Sequence, residues 1–194
     1  MNTIRNGLAG AALALAATLA GATTFAGNLG DAGNAALVGR DLGAPGFDDE
    51  NAVADNVALY TFTTLAATVS IVSTGFAGGG IDPYFTLFSG SGATATFFDS
   101  NYFQATSTGG DFTWTGALAA GTYEIALGSF ENMSFAENLG SGTLGDGFIG
   151  VSDPNSLHDG SYALTLTTPV PEPSGALLLA AGLAALATRV RRGR

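Results

Sequence analysis

The side chains best equipped for chemistry in this sequence are its carboxylates. There are 16 Asp and Glu among 194 residues, against six Arg and no Lys. His158 is the only imidazole, and there is no Cys. Without Cys there is neither a disulfide framework nor a thiolate metal or redox centre. Without Lys there is no Schiff base and no P-loop. One His and no Cys exclude ordinary zinc coordination. A Ser-His-Asp triad would have to use His158, which lies in the turn-like Leu157-His158-Asp159-Gly160, and no Gly-x-Ser-x-Gly elbow accompanies it. No catalytic residue is assigned, and the expectation is a protein that is not an enzyme.

Calcium is the better use of these acids, because it takes about six to eight oxygen ligands from carboxylates, amides and carbonyls in loops. The densest cluster is Asp48-Asp49-Glu50-Asn51, followed by Asp55-Asn56. Asp82, Asp99 and Asn101 stand at strand edges, and Asp146 and Asp153-Pro154-Asn155 lie in a Gly-rich stretch. The candidate ligands are therefore Asp48, Asp49, Glu50, Asp55, Asp82 and Asp99. No EF-hand or nonapeptide repeat is present, so a solvated acidic surface stands as the alternative. Two other functions stay open. A small hydrolase would need two carboxylates roughly 5–10 Å apart, a separation that sequence does not contain. A carbohydrate-binding module would need exposed aromatics, for which Trp114 and Tyr102 are candidates.

The positive charges sit at the ends. Arg5 opens the chain, Arg189, Arg191, Arg192 and Arg194 close it, and only Arg40 lies between. After Arg5 comes an apolar run of small residues from Leu8 to Ala22, the pattern of a secretory signal peptide. Cleavage is expected after Ala22 (Ala20-Gly21-Ala22) or after Ala26 (Thr24-Phe25-Ala26), giving a signal segment over 1–26. At the other end, Val170-Pro171-Glu172-Pro173-Ser174 precedes an apolar run from Gly175 to Ala187 and then the Arg-rich tail. As a helix this run spans about 20 Å, short of the roughly 30 Å hydrocarbon core. Thr188 and Val190 extend it, Arg side chains snorkel, and the tail stays cytoplasmic. The expected membrane segment is 175–188.

The tripartite end over 170–194 closely resembles the PEP-CTERM sorting signal of exosortase substrates. The matching parts are Pro171, Glu172 and Pro173, then the short helix, then the basic anchor Arg189, Arg191, Arg192 and Arg194. The resemblance implies a Gram-negative exporter. It implies processing by signal peptidase and by exosortase, a membrane cysteine protease-transpeptidase. It also implies a transient inner-membrane stage before delivery to the cell surface or extracellular matrix. With Glu172 and five Arg set aside, the middle keeps 15 acids and one Arg, a formal charge near −14. So acidic a chain, with a full-length pI near 4.1, is not a nucleic-acid binder. Association with anionic exopolysaccharide would need divalent cations as bridges.

Residues 27–169 must position whatever does the work, and their period is two. Strands are expected at Val57–Thr63, Ala67–Thr74, Pro83–Phe88, Thr94–Phe98, Asp111–Thr115, Thr122–Leu127 and Ser161–Thr167. Val69, Ile71 and Ser73 share one face, as do Tyr123, Ile125 and Leu127; Tyr162, Leu164 and Leu166 are read as inward, with Trp114 and the Phe residues in the core. Gly-rich punctuation separates these segments. The fold class is all-β, a single sandwich or jelly roll, flanked by a signal helix and a short transmembrane helix. Leu118-Ala119-Ala120-Gly121-Thr122-Tyr123-Glu124-Ile125 looks like the L-x-x-G-x-Y turn and strand of bacterial pre-peptidase C-terminal domains. Tyr60-Thr61-Phe62, Gly75-Phe76 and Asp82–Phe88 match their opening strands in order. The resemblance covers roughly 55–168 and implies a non-catalytic jelly-roll sandwich with a structural or adhesive role. The chain departs from it between Phe130 and Asp159, where a long Gly/Asn/Ser-rich insertion replaces a tight connection.

Overall fold

Alternation of apolar and polar side chains makes each strand two-faced, so the strands must meet in layers. The computed structural model describes residues 19–36, 53–101, 106–108, 110–130, 132–150 and 154–170. In these, β1 is Leu19–Asn28, β2 Ala35–Ala36, β3 Asn56–Thr64, β4 Ala67–Thr74 and β5 Pro83–Ser89. They are followed by β6 Thr96–Ser100, β7 Thr106–Thr108, β8 Asp111–Leu118, β9 Gly121–Ser129 and β10 Ser161–Val170. Two five-stranded sheets form, in the orders β1-β10-β4-β8-β7 and β2-β3-β9-β5-β6. Pairing is antiparallel, with Ile71 opposite Trp114 and Leu166 in the first sheet, and Leu127 opposite Ala58 and Phe85 in the second.

The inner faces close on one core. Val69, Ile71, Phe112, Trp114, Leu164 and Leu166 come from the first sheet and meet Ala58, Phe62, Phe85, Leu87, Ile125 and Leu127 from the second. The expected inward face Tyr162/Leu164/Leu166 is buried, and so are the shared faces Val69/Ile71/Ser73 and Tyr123/Ile125/Leu127. Phe85 stacks on Phe112 at 4.6 Å and meets Trp114 edge-on at 6.2 Å. Offset and edge-to-face contacts of this kind add to plain area burial. Gly116 lies against the Trp114 ring, and a Cβ there would overlap it, so the tryptophan fixes a glycine in mid-strand. The fold is all-β and sandwich-like, as the alternation demands.

Within the insertion after β9, residues 132–150 form short helical turns and bridges. They fold over the outer face of the second sheet and build a second apolar cluster. Val57, Phe88 and Ala126 from the strands pack there with Ala95, Ala136, Leu144 and Phe148. Backbone bonds run from Leu144 N–H to Ala95 O, 2.9 Å, and from Phe97 N–H to Gly142 O, 3.0 Å. Consequently β9 is buried from Tyr123 to Ser129 without alternation, and β5 from Pro83 to Phe88.

The N-terminal boundary differs from expectation. The structured unit runs Ala20–Pro169 rather than from 27, and residues 19–26 of the expected signal segment are strand, not helix. The cause is edge pairing with β10: Leu29 N–H donates to Gly160 O at 2.9 Å, and Gly27 lies against the Tyr162 hydroxyl. Thr23 and Thr24 favour extended backbone, and Phe25 gains a partner in Tyr60 at 4.4 Å. The expected membrane helix at 175–188, the motif at 171–173 and the Arg tail lie outside the described residues. Among the described residues no helix is long and apolar enough to cross a membrane.

If the insertion is a true second layer, Phe148→Ala, at a buried position, should lower the urea midpoint by a loss of about 3–5 kcal/mol. An unchanged midpoint would mean that the insertion adds nothing to the fold.

Candidate functional site

The most concentrated chemistry in the described residues is a buried carboxyl that sequence reading passed over. Ser134 caps the one-turn helix Phe135–Asn138, its hydroxyl oxygen accepting the Glu137 N–H at 3.1 Å. Ser134-Phe135-Ala136-Glu137 is a capping-box sequence, and that was the available signal. The Glu137 side chain turns onto the second sheet. Its Oε1 accepts from Tyr84 Oη and from Ser100 Oγ, both at 2.5 Å, and its Oε2 from Thr86 Oγ1 at 3.3 Å. Thr86 and Ser100 are cross-strand partners, so β5 and β6 present two hydroxyls side by side. Glu137 is 4% exposed. Burial pushes its carboxyl up from the usual 4.5, against the three hydroxyl donors that favour the anion, and Asp99 adds to the rise.

Asp99 lies on the opposite face of β6, paired with Leu87 of the main core. Its Oδ2 accepts from Trp114 Nε1 at 3.0 Å and its Oδ1 from the Ser100 N–H at 2.9 Å. The two carboxyls are thus separated by a strand and do not converge on a common cavity. Each carboxyl is nearly closed to solvent and held by its hydrogen-bond donors. The same contacts decide the Trp114 question, since its ring is fully buried and closed to a sugar. Tyr102 lies outside the described residues.

Of the candidate calcium ligands, Asp55, Asp82 and Asp99 are among the described residues. Asp48, Asp49 and Glu50 lie outside the described residues. Asp55 is buried in the turn Val53–Asp55, where its carbonyl accepts from Asn132 Nδ2 at 2.9 Å. Asp82 is half-buried at the start of β5, with its N–H on Ser156 O and its carbonyl taking the Phe130 N–H. Asp99 has both oxygens engaged by Trp114 and Ser100. Among the described residues no three of His, Asp and Glu gather as a metal-binding group. Asp55, Asp82 and Asp99 therefore do not gather as one group.

His158 belongs to the loop end of the sandwich. It has φ +46°, the one non-Gly residue with positive φ among those described, and its ring lies 5.1 Å from that of Phe76. The turn closes through Gly160 N–H to Leu157 O at 2.8 Å. Asp159 caps β10, accepting from Ser161 Oγ at 2.6 Å and Ser161 N–H at 2.8 Å, and those bonds hold its carboxyl below the usual range. Burial pushes Asp82 up, partly offset by His158, while Asp111 adds to the rise. No held base beside an activated hydroxyl is formed around His158 by these contacts. No protein family, curated protein or solved structure matches the chain.

Two outcomes follow from this geometry. A raised acid binds more protons folded than unfolded. Its contribution is therefore complete below the unfolded value near 4.5 and is lost as pH rises through the higher folded value. Urea midpoints from pH 4 upward should fall less steeply for Glu137→Gln than for the wild type, and parallel profiles would refute the linkage. His158→Gly should remove left-handed strain of about 1–2 kcal/mol, less the contact with Phe76, and raise the melting temperature. A lower melting temperature would show that the imidazole contacts outweigh the strain.

Proposed function

We propose that this chain is an exported cell-surface or extracellular-matrix protein of a Gram-negative bacterium, processed by signal peptidase and exosortase and serving a structural or adhesive role without catalysis. The observation that carries this reading is the order of the parts. A signal-like N-terminus and a Pro171-Glu172-Pro173, apolar, Arg-rich C-terminus bracket one β-unit, Ala20–Pro169. The topology is compatible with it. β1 and β10 are neighbours, and with Leu29 beside Gly160 and Gly27 beside Tyr162 they run antiparallel. Residues 20 and 169 thus stand at one end of the sheet, as two membrane-directed segments require if both are to reach one bilayer. The jelly-roll likeness adds a fold that suits presentation rather than turnover. Enclosure of Glu137 and Asp99 within the fold favours a structural role for the best-placed acids over a hydrolytic one.

After both ends are cut, a formal charge near −14 keeps the product soluble and repels other copies. Cell fractionation with intact-mass analysis tests the reading. The expected product lacks the C-terminal helix and Arg tail and is found at the surface or in the matrix. Replacing Pro171, Glu172 and Pro173 together by Ala should hold it in the inner membrane. A surface product that still carries Arg194, or normal release of the triple variant, would refute exosortase processing.

A further inference from the structure

Two small-residue cleavage sites are present in the N-terminal segment, and the fold distinguishes them. We infer that signal peptidase hydrolyses the Ala22–Thr23 bond and leaves Phe25 in the mature protein as part of β1. The inference rests on the export reading above. Water adds across the amide, giving a carboxylate on Ala22 and an α-amino group on Thr23.

The argument starts from what each cut would remove. β1 is the edge strand beside β10. Phe25 is its apolar anchor, stacked on Tyr60 at 4.4 Å with the planes 21° apart, and packed against the main core. Behind it, Tyr60 Oη and Tyr162 Oη share a hydrogen bond of 2.7 Å, and their rings meet edge-on at 6.3 Å. Burial, and then the bond to Tyr162, push the Tyr60 hydroxyl up. A cut after Ala26 would leave only Gly27 and Asn28 of the strand. It would uncover this tyrosine pair and turn β10 into an open edge with unpaired N–H and C=O groups.

A cut after Ala22 keeps residues 23–28, about the usual length of a strand. The new charge then falls where it is tolerated, because Ala22, Thr23 and Thr24 are exposed. The residues before the bond also fit: Ala20-Gly21-Ala22 has Ala at both recognition positions, whereas Thr24-Phe25-Ala26 has the larger Thr at the first of them.

The test is N-terminal sequencing and intact mass of the full chain expressed in a Gram-negative host and recovered from outside the cytoplasm. The expected N-terminus is Thr23. Ala26 is exposed, so Ala26→Leu leaves the packing intact and should not alter the N-terminus, whereas Ala22→Leu should block the cut or displace it. An N-terminus at Gly27, or loss of processing in Ala26→Leu, overturns the inference and leaves export standing. An uncut chain confined to the cytoplasm overturns the export reading and the inference with it.

Discussion

The strand pair β5–β9 must be dry on both faces, and most of the architecture answers to that constraint. One face carries Phe85, Leu87, Ile125 and Leu127 into the main core, while the other carries Phe88 and Ala126 into the second cluster. A sheet buried on one side can meet water on the other; one buried on both needs a cover. The insertion after β9 is that cover. Without it, Phe88 and the hydroxyl row of Tyr84, Thr86 and Ser100 would face solvent. With it, a chain lacking Cys gains a second apolar layer in place of covalent cross-links.

Glu137 joins the backbone bonds from Leu144 to Ala95 and from Phe97 to Gly142 in fixing where the cover lands. Apolar contact is non-directional, so Ala136, Leu144 and Phe148 alone would allow the insertion to slide over the sheet. Three hydroxyl donors converging on one carboxyl allow far fewer positions. Burial of the acid opposes this arrangement, and the hydroxyls offset part of that cost. Asp99 repeats the logic on the inner side of β6, where an indole N–H and a backbone N–H hold it. In both places acid groups serve to register layers, a use for carboxylates that composition does not distinguish from metal binding or catalysis.

The ends of the chain impose a different condition. If both ends are cut as proposed, the domain between them must remain folded without them. In the proposed mature form, β1 keeps its anchor at Phe25 and β10 keeps a neighbour on each side. The remaining edge positions, Thr23 and Thr24, are polar and exposed. A short polar edge discourages strand addition by other copies, and the net negative charge acts in the same direction.

Much of the sandwich was legible from alternation alone. Ala67–Thr74 is a strand with the expected bounds, and Val69, Ile71, Ile125, Leu127, Leu164 and Leu166 point inward as their spacing requires. That succeeds because strand and face are local properties, written in neighbours two residues apart. The short β2 and β7 carry too few residues to show a period, and β1 was hidden inside an apolar N-terminal pattern that also suits a signal segment. The candidate site was less legible. Asp55, Asp82 and Asp99 resemble one another in sequence as acids near strand edges, yet each ends in a separate set of hydrogen bonds. Glu137 gave only a local capping signal, because its partners lie 53, 51 and 37 residues away. The amino-acid sequence by itself determined seven of the strands and the faces that residues two apart share, and it carries the end patterns on which the proposed addresses rest. Only the tertiary structure decided which acids are buried, what the insertion covers and which strand guards the β10 edge, since those depend on contacts between segments that no local pattern records.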